Sequence, residues 1–224
     1  MHKLAIVGYG KMGRMIESFA PEYGFSVHAR IDVNDDIKAA QGADVAIEFS
    51  TPEAAVGNVE KLAALGIPVV VGTTGWLSEM DRARAAIERH HAAMVWSPNF
   101  SIGVNVFSRL VQEAAKLLAA EPQYGAWAWE IHHDTKKDAR SGTLLKLVAD
   151  MKSAGYGRPI DVSSNRAGAH PGTHEIGFDS AADTITLRHA ARSREGFARG
   201  ALKAAQWIVG KQGVFEFSDV LFTR

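Results

Sequence analysis

The sequence predicts an α/β protein in two parts. The first is an N-terminal doubly wound parallel sheet, and the second is a smaller α+β part with a mostly antiparallel sheet. Three observations carry this. Continuous apolar runs such as IPVVVG at 67–72 suit strands buried on both faces. Such runs alternate with stretches of helical periodicity through the first hundred or so residues, as βαβ units require. Beyond that point the strands alternate apolar with polar side chains, the pattern of a sheet buried on one face.

Taken in order, Lys3 to Val7 is a short apolar strand that runs into GYGKMG at 8–13. Gly8, Gly10 and Gly13 keep the G-x-G-x-x-G spacing: a tight turn, close backbone approach to a pyrophosphate, and close helix–strand packing. A helix-like run follows (Met12, Ile16, Phe19), then a strand at Phe25–Ile31 ending at Asp32. Asp32 lies nineteen positions after Gly13, where an acceptor for a ribose 2′-hydroxyl is expected. Strand, glycine loop, helix, strand and acid together predict a Rossmann-type dinucleotide site. Next come a strand at Asp44–Phe49, a helix over Pro52–Leu65, a strand at Pro68–Val71, a helix over Leu77–His90 and a strand at Ala93–Trp96. Ser50-Thr51-Pro52 is a helix start, and Gly66 with Pro68 a helix stop. The turns at Gly8–Gly13, Ser50–Pro52, Gly72–Gly75 and Ser97–Phe100 should share one rim, where such sheets bind ligands.

The second part begins near Ser101–Gly103. Val104, Phe107, Val111, Ala114 and Leu118 mark an amphipathic helix. Ala126–Ile131 is a strand with Trp127, Trp129 and Ile131 on one face, and Thr173–Phe178 and Thr184–Ala190 form a hairpin turning at SAAD. A last helix through Phe197, Ala201, Ala204 and Ile208 stops at Gly210. The expected domains are therefore 1–102, completed by 198–224, and 103–197. Within the second lies EIHHDTKKDARSGT at 130–143. Leu144, Leu145, Leu147, Val148 and Met151 follow at helical spacing, so Ser141, Gly142 and Thr143 sit where a helix begins and its free N–H groups favour an anion. With Lys136 and a titratable imidazole nearby, this suits a negatively charged substrate; an ordinary capped surface loop stays open as the alternative.

Twenty-five acidic and twenty-five basic residues leave no global field to recruit nucleic acid or an anionic membrane. With no cysteine, disulfides and thiolate metal sites are excluded, and the chain, which lacks a signal-peptide pattern at its start, is expected in the cytoplasm. No metal site is expected. His170 and His174 are spaced four apart, but Pro171 and Gly172 between them break a shared helix face. His90 and His91 read as an exposed helix end.

EIHHDTKKDARSGT resembles the signature of the dihydrodipicolinate reductases, which reduce 4-hydroxy-tetrahydrodipicolinate in lysine and diaminopimelate synthesis. GYGKMGR, EFSTPEA, GTTGW at Gly72–Trp76, SPNFSIGVN at Ser97–Asn105, GTHEIGF ending at Phe178 and SREGFARGALKAAQW at Ser193–Trp207 are similar to family segments in the family's order. The resemblance implies His132 as proton donor or acceptor, Lys136 as a second acid, and His133, Ser141, Gly142 and Thr143 as substrate contacts. It implies that Gly8, Tyr9, Gly10, Lys11, Met12, Gly13, Asp32, Gly72, Thr73, Thr74, Ser97, Pro98, Asn99 and Phe100 line NADH or NADPH. It also implies a dicarboxylate substrate and a homotetramer. Three departures stand out: Arg140 replaces a usual proline, the glycine loop is one residue shorter and carries Lys11 in place of arginine, and 152–164 is short. A related nicotinamide oxidoreductase on another amino or imino dicarboxylate is one alternative. A non-enzymatic nucleotide-sensing module is the other, since fold does not fix function.

Overall fold

A computed structural model describes residues 1–223. The chain folds as two compact units, one of Met1–Ile102 with the C-terminal segment from Arg194, and one of Gly103–Ser193. The return to the first unit thus begins four residues ahead of the expected 198, because the helix that carries it already starts at Glu195.

The first unit holds a six-stranded parallel sheet. Its strands are β1 (His2–Val7), β2 (Phe25–Ile31), β3 (Val45–Glu48), β4 (Val69–Val71), β5 (Ala93–Trp96) and, far along the chain, β10 (Gly213–Glu216), ordered β10-β5-β4-β3-β1-β2. Strand order reverses between β1 and β3, so the turns after these two strands open onto the switch point where such sheets take ligands. Helices α1 (Lys11–Phe19), α2 (Pro52–Ala64), α3 (Met80–Arg89) and α6 (Glu195–Ile208) cover the sheet. One face packs Ala5, Val7, Ala46, Val69 and Val71 against Val56, Val59, Leu62 and Ile87. The other packs Leu4, Ile6, Ile47 and Val70 against Ile16, Ala201, Leu202, Ala205 and Ile208. Burial on both faces explains why these strands read as unbroken apolar runs. The helix expected from Leu77 to His90 opens as a 3₁₀ turn at Leu77–Glu79, and its end is exposed, with His91 in the left-handed region at φ 49°.

The second unit holds α4 (Ile102–Leu118), β6 (Gly125–His132), α5 (Gly142–Ser153), β7 (Ile160–Arg166), β8 (Thr173–Asp179) and β9 (Thr184–Ala190), with sheet order β7-β6-β8-β9. β6–β8 and β8–β9 are antiparallel, as expected, whereas β7 lies parallel to β6. The sheet is thus mostly antiparallel, as expected, but β7 and the βαβ crossover β6–α5–β7 were not foreseen. The buried face of β6 is the one with Ala128, Glu130 and His132; Trp127, Trp129 and Ile131 are half-buried on the other face. Leu144, Leu147 and Met151 of α5 pack on Ala128, Ile176 and Phe178. The short α7 (Phe217–Phe222) was also unexpected and starts with a capping box between Glu216 and Asp219. Among the described residues no helix is long and apolar enough to cross a membrane.

Candidate active site

In the first unit the glycine loop makes a tight turn and packs closely against its neighbours. Gly8 has φ +89°, and a Cβ there would collide with the carbonyl of Phe49, the residue after β3. A Cβ on Gly13 would lie 2.5 Å from the Gly8 carbonyl. A Cβ on Gly10 would meet nothing within 4 Å, so this position faces open space and its backbone can be approached. Gly10 is the N-cap of α1 and offers no side-chain cap, leaving the first amides of the helix for an anion. Beside the loop a cavity of about 410 Å³ is lined by Gly8, Gly10, Asp32, Asp35, Asn58 and Lys61 among others. Asp32 is exposed there, and Asp35 Oδ2 accepts its backbone N–H at 2.8 Å. Lys11 is exposed on the first turn of α1, and Tyr9 turns its hydroxyl onto Glu17.

A second cavity, about 240 Å³, brings together Met12, Gly72, Ser97, Pro98, Asn99 and Phe100 with Phe49, Arg194 and Phe197, three residues that sequence reasoning missed. A Cβ on Gly72 would strike the Phe49 ring as it now lies, so the ring would have to move. Phe100 is 2% exposed and its ring centroid lies 4.8 Å from that of Phe217, so its side chain belongs mainly to the core. Thr73 and Thr74 line a smaller neighbouring cavity with Trp76, whose Nε1 donates to the Thr73 carbonyl at 2.8 Å. Behind these turns Glu48 is fully buried and accepts from the Ser50 hydroxyl, from its N–H at 3.0 Å and from Asn58 at 3.4 Å. Burial pushes its carboxyl up, and those hydrogen bonds only partly oppose this.

In the second unit His132 ends β6 with its side chain 10% exposed, while His133 is half-exposed with Nδ1 2.7 Å from Thr135 Oγ1. Consecutive positions on the strand thus face apart. Lys136 pairs with Asp138 at 2.7 Å in the loop that follows. Ser141 is the N-cap of α5, and its Oγ accepts the Leu144 N–H at 3.1 Å. Its own amide and hydroxyl turn inward: the N–H donates to Glu130 Oε1 at 2.9 Å, and the hydroxyl donates to Oε2. Gly142, exposed, and Thr143, half-buried, supply the N1 and N2 amides, which no carbonyl of the helix can reach. Arg140, just before, takes φ 69°, a conformation closed to proline, and its Nη2 lies 3.5 Å from the Val162 carbonyl.

Glu130, Arg166 and His174 are the residues that sequence reasoning left without a role. Glu130 is wholly buried and also accepts from Ser164 Oγ at 2.8 Å and Arg166 Nη2 at 3.3 Å. Burial raises its carboxyl, but donation from Ser141 and Ser164, with the His132 ring alongside, holds it below the ordinary value. Burial lowers the proton affinity of His132; Glu130 opposes this, and Lys136 and Arg166 add to it. His174 is pushed down to about 4 by burial first and His132 second, so it is neutral at pH 7. Ligand atoms of Glu130, His132 and His174 lie within 4.8 Å of one another, close enough for a cation. However, the Glu130 oxygens are already committed to Ser141, Ser164 and Arg166, and two cationic side chains stand nearby. Chemically, an imidazole beside a buried carboxylate can exchange a proton, and the open α5 amides can receive an anion.

Residues 2–100 match the family described as dihydrodipicolinate reductase, N-terminus, and residues 103–221 match dihydrodipicolinate reductase, C-terminus. The chain is 36% identical to a 4-hydroxy-tetrahydrodipicolinate reductase of Christiangramia forsetii, over 97% of this chain and 97% of that protein. It is 37% identical to one from Archaeoglobus fulgidus, over 95% and 96% of the two chains. Its fold is shared with the dipicolinate-bound dihydrodipicolinate reductase of Paenisporosarcina sp. TG-14 (TM-score 0.81, 20% identity, 96% and 97% covered). Matched along nearly its whole length in both halves, the chain belongs to the dihydrodipicolinate reductase family.

Proposed function

We propose that the protein catalyses the nicotinamide-dependent reduction of 4-hydroxy-tetrahydrodipicolinate to tetrahydrodipicolinate in lysine and diaminopimelate synthesis. The observation that supports this most is the grouping, in a chain of this family, of a buried His132, Lys136 and the open N-terminus of α5 within one unit. The glycine loop, with Gly10 facing open space and Asp32 beside a cavity, fits a dinucleotide. When bound, that group supplies the hydride. The residues of this chain do the rest. The Gly142 and Thr143 amides and Lys136 take the substrate carboxylates. Those charges raise the proton affinity of His132, offsetting the effect of its burial. Loss of the hydroxyl as water takes one proton from a ring carbon and gives one to the departing oxygen, and the carbanion left by hydride addition takes up one more; His132 and Lys136 carry these transfers, with one net proton drawn from solvent. Oxidation of NADH or NADPH with enzymatically generated substrate, followed by loss of nicotinamide absorbance, tests this. No oxidation by folded protein would remove the reading, and it is also what a nucleotide sensor would give.

Both cofactors work in this reading, with NADH preferred about tenfold, or roughly 1.4 kcal/mol. Asp32 accepts the ribose hydroxyls, and Asp35 and Asp36 repel a 2′-phosphate; Lys11, together with Lys61 in the same cavity wall as Asp35, pulls the other way. Added salt should narrow the margin. Kinetics showing an NADPH preference at low salt would mean that the lysines prevail. The assembly we propose is a homotetramer, because β9 leaves an open sheet edge and Trp127, Trp129 and Ile131 leave a half-exposed apolar face. Light scattering at micromolar protein would show a single-chain mass if this is wrong. A biosynthetic reductase of this kind works in the cytoplasm, where we place it.

A further inference from the structure

Glu130, Ser164 and His174 occupy one row across three strands. Glu130 on β6 stands opposite Ser164 on β7 and opposite His174 on β8. His132 is the next position of β6 on the same buried face, opposite Arg166 of β7. The protons can be assigned from the contacts. The Ser141 hydroxyl has one hydrogen, spent on Glu130 Oε2, and one of its lone pairs takes the Leu144 N–H. His174 Nε2, 3.1 Å from Ser141 Oγ and 3.4 Å from Glu130 Oε2, therefore carries a hydrogen and donates. Every group around Glu130 is then a donor, and the carboxylate is the common acceptor. His132 Nδ1 is buried without a hydrogen-bonding partner and faces Glu130 Oε2 across 3.6 Å, within ion-pair range. Gly172 backs the opposite side of the ring, where a Cβ would come within 2.9 Å of Nε2.

We propose that Glu130 is the positioning residue of this site: its carboxylate faces Nδ1 of His132 across 3.6 Å, favouring a proton on that nitrogen, and holds the amide and hydroxyl of Ser141, so one buried group sets both the proton donor and the anion-binding start of α5. Its value to catalysis rests on the proposed function, in which His132 is the proton donor. With the carboxylate favouring the proton on Nδ1, Nε2 is left to gain and release the working proton. The charged and titratable groups around His132 are Glu130 on its own strand, Lys136 and Asp138 from the following loop, Arg166 on β7 and His174 on β8. Among them Glu130 is the buried carboxylate next to Nδ1, so its removal acts on the ring directly.

Nitrogen-15 spectra of histidine-labelled native protein test this without substrate, with the His132 signals assigned by their loss in His132→Gln. The neutral ring is expected as the Nδ1–H tautomer; the Nε2–H tautomer would overturn the proposal. In Glu130→Gln, which keeps the shape and an acceptor oxygen for Ser141, the His132 titration is expected to move to lower pH by about one unit. Turnover should fall about a hundredfold at neutral pH, with the pH profile displaced to acid and cofactor affinity unchanged. Glu130→Asp, charged but shorter, is expected to restore the titration in part. An unmoved titration in folded Glu130→Gln overturns the proposal. Because the tautomer is read in the free protein, a failure of native turnover would strike the proposed reaction and not this placement.

Discussion

Helix α1 starts from a glycine with no side-chain cap, whereas α5 starts from a serine locked to a buried carboxylate. Both leave amides for an anion, but by opposite means. At α1 the opening is made by removing side chains: Gly8 and Gly13 have no room for a Cβ, and Gly10 has room that a ligand can use. At α5 the opening is made by adding them: Glu130, Ser164, Arg166 and His174 fix the turn, and only Gly142 and Thr143 stay free for a ligand. The first device tolerates a large, shared cofactor and needs no titratable group. The second, in the proposed reaction, would place a proton beside a small dianion, and it depends on charge.

The comparison can be broken most sharply at Lys136. Lys136→Ala should lower turnover by roughly a hundredfold to ten-thousandfold, while cofactor affinity, measured by titration, stays native. Near-normal turnover would show that the second device needs no lysine. Next come the glycines. Gly8→Ala should cost roughly 3 kcal/mol or more of stability in denaturant titrations, from the positive φ together with the collision at Phe49. Gly10→Ala should fold within about 0.5 kcal/mol of the native protein and lose cofactor affinity instead. If the two glycines behave alike, the loop is not divided as described.

Acid separates the two devices as well. His174 has a folded value near 4, below its ordinary 6.5, so the unfolded chain binds the extra proton first. Stability from this group is complete above about 6.5 and is lost as pH falls toward 4, on the order of 3 kcal/mol at most. Thermal midpoints at pH 7 and pH 5 should differ, and the difference should shrink in His174→Gln. The smallest effect is at Arg140. Its φ of 69° suits glycine, so Arg140→Gly should gain roughly 0.5–1 kcal/mol or be neutral. A clear loss would show that the guanidinium contact at Val162 outweighs the backbone strain.

What could be read from the sequence follows the same division. The glycine loop, Asp32 and the start at Ser141 were legible because each depends on a local pattern: a spacing, a strand end, a cap. β7 was not, and the reason is chemical. Its inward positions are Ile160, Val162, Ser164 and Arg166, so the half nearest the site turns polar groups inward to serve Glu130 and the apolar alternation fades. Glu130 itself was hidden because an acid on a strand is ordinarily read as facing water; only the neighbouring strands and the start of α5 reveal the donors and imidazoles converging on it. Arg194 joins its cavity from a segment distant in sequence, which no local spacing encodes.

The parallel sheet is completed by the last stretch of the chain: β10 pairs with β5, and α6 covers Leu4, Ile6, Ile47 and Val70. During synthesis this has a cost in time. Five strands emerge first and must wait, with an apolar face bare and the β5 edge unpaired, while roughly a hundred further residues are made at about 5–20 per second. The interval is several seconds to tens of seconds, long compared with hydrophobic collapse. The nascent protein is therefore most exposed to misassociation between the emergence of β5 and that of α6, and a ribosome stalled short of Glu195 would release a cofactor half that cannot close.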